Sequence, residues 1–470
     1  MSLQDPEGPQ KPPSGPRPTG RSPVLILLAL ALIAALVANV ALGVKLRNQR
    51  GATATLQQQI EQLNEQLDLL RGRISGSGTG DPLGRIAAAT AMLRGLDFLR
   101  TVKPELLSPA ELAARVSQMF AHDNSRAALA GTAAVLATYG LLPAKYDLYD
   151  ELRTLNSEQV LGFYDDQTKR MVVGAEDARN PDPFVQVVLA HEYTHALADQ
   201  HFGLGLLDKL GKEHADDAQA AFLALAEGDA TFTMDLYRET VLTSDQQKQF
   251  IDEAQSLPTT QFDAAPQYLQ DVLQFPYDQG LAFVTALHER GGFDLVDQAY
   301  RDPPTSTEQI MHPTKYLDTR DNPTPVTLPN VLRALGSGWS FIQDGGVGEF
   351  DVLELLERGG GQGLSSSVAA PAAAGWDGGE YGGYRSSDGV LVATETAWDA
   401  DSQAREAADA FDRWLSIRYP GGSAFDAGSG QGWQSSAGAG EVVQNGARLL
   451  LLLGPSPSDL NKARAAFAGF

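Results

Sequence analysis

The chain has 470 residues, 43% of them hydrophobic, and a formal charge of −23, which is enough for more than one packed unit and fits neither disordered nor collagen-like compositions. So acidic a chain with no basic stripe argues against nucleic acid as a partner, because phosphate binding needs clustered Lys and Arg. The absence of Cys excludes disulfides, thiolate metal sites, a Cys nucleophile and a lipidated Cys, so any bound metal draws on His and carboxylate.

Residues 1–23 form a Pro- and Gly-rich tail expected to be disordered. Residues 24–44 are almost wholly apolar, with Asn39 the only polar side chain, and match the ~20 residues of a transmembrane helix. That run exceeds the roughly 7–15 residues of a signal-peptide core, so a single-pass membrane anchor is expected. Lys11, Arg17 and Arg21 before the span are balanced by Lys45, Arg47 and Arg50 after it; the preferred orientation keeps the short tail inside and the large domain outside the cytoplasm. Within residues 52–74, Leu56, Ile60, Leu63, Leu67, Leu70 and Ile74 alternate spacings of four and three. That is the seam of a short coiled-coil stalk and a route to a homodimer. The alternative is an amphipathic helix lying on its own domain. A Gly/Ser linker follows at 75–80.

The main folded unit is expected over 81–358. Ser108-Pro109-Ala110-Glu111 supplies an N-cap, a first-turn Pro and a capping-box Glu. Residues 160–164 and 170–173, joined by a polar turn, read as a hairpin ahead of the motif helix. Residues 359–374 are low in complexity and read as a linker to a small α+β domain over 375–470. In that domain a strand near 389–394, a helix over 402–418, two strands joined by Asn445-Gly446 and a final helix over 458–468 are expected. Asn-Gly suits a type I′ turn because both central residues take positive φ. Trp376, Trp398 and Trp414 read as packing residues.

The chemistry concentrates at His191-Glu192-Tyr193-Thr194-His195, in a chain with only 7 His. Positions i and i+4 of a helix share a face, so two imidazoles can converge on one ion with the intervening Glu beside a metal-bound water. The apolar run 184–189 buries the helix ahead of them. A catalytic zinc needs a third protein ligand, and two candidates compete. His201 has the metzincin spacing, but Ala198 stands where that pattern has a helix-stopping Gly. If the helix runs on to Gly203, His201 points away from the metal. Glu227, in Glu227-Gly228-Asp229-Ala230, lies in a segment of helical periodicity, and Gly228 inside that helix is explained by close approach to the motif helix. Glu227 is the favoured ligand.

With these residues in place, the chain resembles the gluzincins, zincin metallopeptidases with HExxH on one helix and a ligand Glu on the next. The run Tyr277-Asp278-Gln279-Gly280-Leu281-Ala282-Phe283, with Gly291-Gly292 after it, looks like the following helix of peptidase-MA-like members. The ensemble with Ser306-Thr-Glu-Gln-Ile-Met-His-Pro is similar to a set of membrane-anchored bacterial zinc peptidase-like proteins. The resemblance covers 160–316, about a third of the chain. It implies an α+β fold with a zincin-like core, bound Zn2+ and a protein or peptide substrate. The thermolysin pattern Glu-x-x-x-Asp is absent, since Thr231 stands four residues after Glu227.

In this reading Glu192 is the general base, taking a proton from the attacking water and passing it to the leaving amine. Asp199 and Asp229 are candidates to orient the ligand imidazoles, and His312 and Tyr316 to stabilise the oxyanion; each has a plain structural reading beside it. Three rival readings stand beside it. An intramembrane protease is disfavoured by the polar surroundings of the motif. A non-catalytic, membrane-tethered scaffold with the same fold would need His191, His195 and Glu227 but not Glu192. An enzyme shielded by its own segment over 83–104 is the third.

Overall fold

The structure, a computed structural model, describes residues 81–174, 180–427 and 430–470. Helix α1, Pro82–Arg94, opens on an Asp81 cap and closes on Gly95 at φ 76°. Strand β1, Pro104–Leu107, leads to α2, Pro109–Asp123, whose capping box of Ser108 and Glu111 is formed. Helix α3, Arg126–Tyr139, is followed by β2, Gly162–Asp165, and β3, Arg170–Gly174. The motif helix α4, Pro183–His201, the Glu227 helix α5, Asp216–Thr240, and the long α6, Gln267–Arg301, form the helical core. The sheet beside them has only three strands in the order β1-β3-β2, with β1 parallel and β2 antiparallel to β3.

The larger sheet belongs to the second half of the chain. It comprises β4, Ser340–Gly346, β5, Trp376–Arg385, β6, Val390–Trp398, β7, Ser423–Asp426, β8, Gly430–Ser435, β9, Gly438–Asn445, and β10, Arg448–Gly454. Its order is β4-β5-β6-β10-β9-β8-β7, antiparallel throughout. Among the helices that flank these strands in sequence are α7, Glu349–Arg358, α8, Asp401–Arg418, and α9, Pro457–Arg464. In β10 the run Leu449–Leu453 splits by alternation: Leu449, Leu451 and Leu453 pack with α7 and α8, while Leu450 and Leu452 pack with α9. A strand buried on both faces therefore reads as continuous apolar sequence. The Asn445-Gly446 turn joins β9 to β10, with Gly446 at φ 60°.

Two expectations are corrected here. The fold expected from the sequence was a zincin-like core behind a transmembrane helix and stalk, with a small α+β domain appended. The chain is instead a mixed helix-and-sheet structure, more helical than stranded, that contains a large seven-stranded antiparallel sheet. That sheet recruits β4 from before the low-complexity stretch. The stretch itself carries a helix, Ser366–Ala373, whose Ala369, Ala372 and Ala373 are buried against the sheet's core. The single-pass membrane location, with an extracytoplasmic domain, is corrected too: among the described residues no helix is long and apolar enough to cross a membrane. Helix α5 has the length, but Asp216, Asp217, Glu227, Asp229, Asp235, Arg238 and Glu239 forbid a hydrocarbon environment. Residues 24–44 and the stalk over 52–74 lie outside the described residues.

Candidate metal centre

Helix α4 begins where Asp182 accepts the Val185 N–H, with Pro183 at the first helical position. Its first turns bury Phe184, Val187, Val188 and Leu189 in the core shared with α1 and β3. The helix runs without a break to His201, and Gly203 beyond it takes φ 81°. His201 therefore turns away, and its Nε2 meets the Asp97 carbonyl at 2.7 Å. His191 and His195 share a face, with their Nε2 atoms 3.0 Å apart.

Glu227 comes to them from α5. Its Oε2 lies 3.1 Å from His191 Nε2 and 3.4 Å from His195 Nε2. These three residues form a group able to hold a metal ion. A tetrahedral zinc with ligand bonds of about 2.0–2.1 Å holds its ligands ~3.3 Å apart, so the triangle of 3.0, 3.1 and 3.4 Å fits that ion.

What positions Glu227 is a glycine crossing, and its partner is α6 rather than the motif helix expected from the sequence. A Cβ on Gly228 would fall 2.9 Å from the Gly280 Cα and closer still to its carbonyl, and a Cβ on Gly280 would overlap the Ala224 carbonyl. The two helices touch backbone to backbone. One turn before Gly280, Tyr277 stacks on the His191 ring at 6.2 Å with 22° between planes, and its hydroxyl donates to Glu227. Sequence reasoning did not assign Tyr277 a role; its place three residues ahead of Gly280 is the signal that could have done so.

Glu192 stands beside the triangle, 3% exposed, accepting the Tyr164 backbone N–H from β2. Burial pushes its carboxyl up to about 7, with His195 working in the other direction. Burial lowers the His191 imidazole. Burial opposes charge on His195 and Glu227 as well, but their attraction prevails: His195 is raised and Glu227 lowered. The two make a buried pair at 3.4 Å.

The supporting residues differ from expectation. Asp229 accepts Arg94 Nε at 2.7 Å and the Tyr300 hydroxyl at 3.1 Å, and Arg94 also reaches Asp297. Asp199 accepts Lys169 Nζ and the Tyr164 hydroxyl. Neither bonds an imidazole of His191 or His195, and His191 Nδ1 is buried without a protein partner. Arg94, fully buried on α1, is a further residue that sequence reasoning missed. His312 and Tyr316 are engaged elsewhere: His312 Nε2 pairs with Glu349 at 2.8 Å, and the Tyr316 hydroxyl donates to the Asp302 carbonyl. Neither bonds any residue of the triangle. A second convergence of carboxylates, Glu308, Asp321 and Asp399, surrounds the Lys315 ammonium, which contacts all three; a cation is already in place there.

A family model described as a domain of unknown function (DUF8575) matches residues 341–464, the span of the large sheet with α7, α8 and α9, and not the residues of the metal centre. No curated protein and no solved structure matches the chain.

Proposed function

We propose that this chain is a zinc-dependent hydrolase of peptide bonds, with His191, His195 and Glu227 as metal ligands and Glu192 as general base. The observation that carries the reading is the convergence of two imidazole nitrogens and one carboxylate oxygen at 3.0, 3.1 and 3.4 Å, with a buried Glu alongside. Zinc bound there supplies Lewis acidity and lowers the pKa of a bound water to about 7. Glu192, buried beside the ligands, would accept a proton from that water and return it to the leaving amine. Tyr277 holds Glu227 in register, and its ring fixes the plane of His191. A scaffold that merely bound metal would have no use for Glu192 beside the ligands.

The test is zinc content of the purified chain together with cleavage of a quenched-fluorescence peptide library. Wild type and Glu192→Gln are expected to hold one zinc, with cleavage lost in the variant by a factor of about 10²–10⁴. Glu227→Ala is expected to lose zinc, and His201→Ala to keep it. Zinc lost in His201→Ala but kept in Glu227→Ala sinks this ligand set. Zinc-loaded wild type and Glu192→Gln with equal, negligible cleavage sinks the catalytic reading.

A further inference from the structure

A cavity of about 820 Å3 lies away from the metal centre, where α3 and the turn after it face one end of the large sheet. Ala130, Ala133, Ala134 and Ala137 recur at helical spacing on α3 and form one wall. Side chains this short leave the space open. Around it stand Arg385 at the end of β5, Gly454 at the end of β10 and Arg418 at the end of α8. No residue of the metal centre lines it.

In a chain whose formal charge is −23, this cavity is lined by four cations, Arg126, Lys145, Arg385 and Arg418, against two carboxylates, Asp147 and Asp388. Arg126 is already neutralised, meeting Asp147 and Asp150 at 3.5 and 2.6 Å. The other three pair with no carboxylate among the described residues. Lys145 and Arg385 are exposed, and their side chains make neither an ion pair nor a hydrogen bond there. Arg385 also borders a larger cavity that contains carboxylates, yet it pairs with none of them. Arg418 donates from Nη2 to the Ala137 and Thr138 carbonyls at 3.2 Å each, while its Nε is buried without a hydrogen-bond partner. In the wall only Asp388 remains to oppose these three charges.

Lys145 adds an observation from the backbone. Its φ is 61°, in the left-handed region that suits Gly or Asn better than a long side chain. Like charges gathered without counter-charges repel one another, and an anion placed among them turns that repulsion into attraction. Guanidinium groups match the oxygens of a carboxylate or a phosphate, and an ammonium adds a point charge.

We propose that this cavity binds a small organic anion, a carboxylate or phosphate group on an apolar body. The oxyanion sits among Lys145, Arg385 and Arg418, and the body lies on the alanine face of α3. The volume falls within the roughly 300–1,000 Å3 usual for small-molecule sites. The site is independent of the metal centre and of the hydrolysis proposed there.

The test is calorimetric titration of the full chain near neutral pH with 3-phenylpropionate, phenyl phosphate and the neutral 3-phenylpropan-1-ol. The better of the two anions is expected to bind at least about tenfold tighter than the alcohol, the factor that one charge-assisted hydrogen bond supplies. Which anion leads tells carboxylate from phosphate. Lys145→Asn suits the left-handed φ, and Arg385→Gln alters an exposed side chain, so neither change threatens the fold. Together they are expected to erase the preference for the anion. Arg405→Gln with Arg413→Gln removes two exposed charges of α8 that lie outside the cavity, and is expected to leave the preference intact. Equal affinity for anion and alcohol in wild type overturns the proposal. So does anion binding weaker than about 10 mM, a preference that survives the Lys145 and Arg385 changes, or one lost equally in the Arg405 and Arg413 control.

Discussion

A methyl group at Gly228 is the sharpest probe of how the proposed metal centre is assembled. Placed there, it would meet the Gly280 Cα at 2.9 Å and the Gly280 carbonyl closer still, and these are backbone atoms that cannot rotate aside. Carbon atoms settle at about 3.5–4.0 Å, so α5 and α6 must part by roughly 1 Å at their closest point. In an open helix Gly→Ala stabilises by about 1 kcal/mol. Here overpacking of about 1–3 kcal/mol opposes that gain, and the expected net loss is ~1 kcal/mol. The larger effect falls on zinc. Glu227 precedes Gly228 and moves with it, so its separations of 3.1 and 3.4 Å from the two imidazoles open toward ~4 Å. A ligand displaced this far lowers affinity about 100-fold, the upper range seen when supporting contacts of a metal site are lost. The assay is zinc titration against a chromophoric chelator, with thermal unfolding of the metal-free protein measured alongside. Gly205→Ala is the control, since Gly205 has helical φ of −61° and no atom within 4 Å of an added Cβ. Wild-type zinc affinity and an unchanged unfolding midpoint in Gly228→Ala would refute the close-approach reasoning.

Arg94→Met should cost about 3–5 kcal/mol, because it leaves Asp229, 0% exposed, without its cation; a loss under ~1 kcal/mol in chemical denaturation would contradict that pairing. The double variant Arg94→Met with Asp229→Leu should recover part of the loss, since the uncompensated charge goes with it. Lys315→Met should destabilise by ~2 kcal/mol, below the full buried-pair value because Lys315 is 25% exposed, and unchanged unfolding would refute its role as the shared cation of Glu308, Asp321 and Asp399. Stability should fall as pH rises from about 5 to 8. Burial pushes Asp217 up to about 7, and burial with Asp271 beside it pushes Glu354 up to about 9. Carboxyls of the unfolded chain titrate near ~4, so across this window the folded state holds protons that the unfolded state has released, and the slope of stability with pH is negative. Thermal unfolding at pH 5 and pH 8 measures it; Asp217→Asn should flatten the slope, and a midpoint that climbs toward pH 8 is the contrary result.

What could be read from the sequence depended on whether the relevant distance lay within one element or between two. His191 and His195 were legible because four residues on a helix fix a face. His201 was legible as a residue turned away, because Ala198 permits the helix to continue to Gly203. The hairpin of β2 and β3 and the capping box of Ser108 and Glu111 are likewise local. The large sheet was half hidden, since β5 reads Trp-Asp-Gly-Gly-Glu-Tyr-Gly-Gly-Tyr-Arg and its glycines suggest turns. In the structure Gly379 and Gly383 of that strand admit Val347 and the Val135 side chain close against the sheet. Strand β4 was hidden for another reason: it pairs with β5 across the stretch that reads as a linker.

The candidate site divides along the same line. His312 and Tyr316 were attractive as residue types, but their partners, Glu349 and the Asp302 carbonyl, come from segments whose approach no spacing encodes. Tyr277 and Arg94 were invisible for the converse reason. Tyr277 reaches Glu227 only because Gly228 and Gly280 let α5 and α6 touch, which sets the rotation of α6 one turn earlier. Arg94 reaches Asp229 only because α1 packs beside both α4 and α5. Helix α5 thus has two fastenings near the proposed metal centre: the glycine crossing to α6 and the buried Arg94–Asp229 pair to α1. Glu227 immediately precedes both in sequence, one residue from Gly228 and two from Asp229. A carboxylate whose helix is held from two sides has little room to move, and that restraint, together with the attraction between Glu227 and His195, keeps the three donor atoms within 3.4 Å of one another.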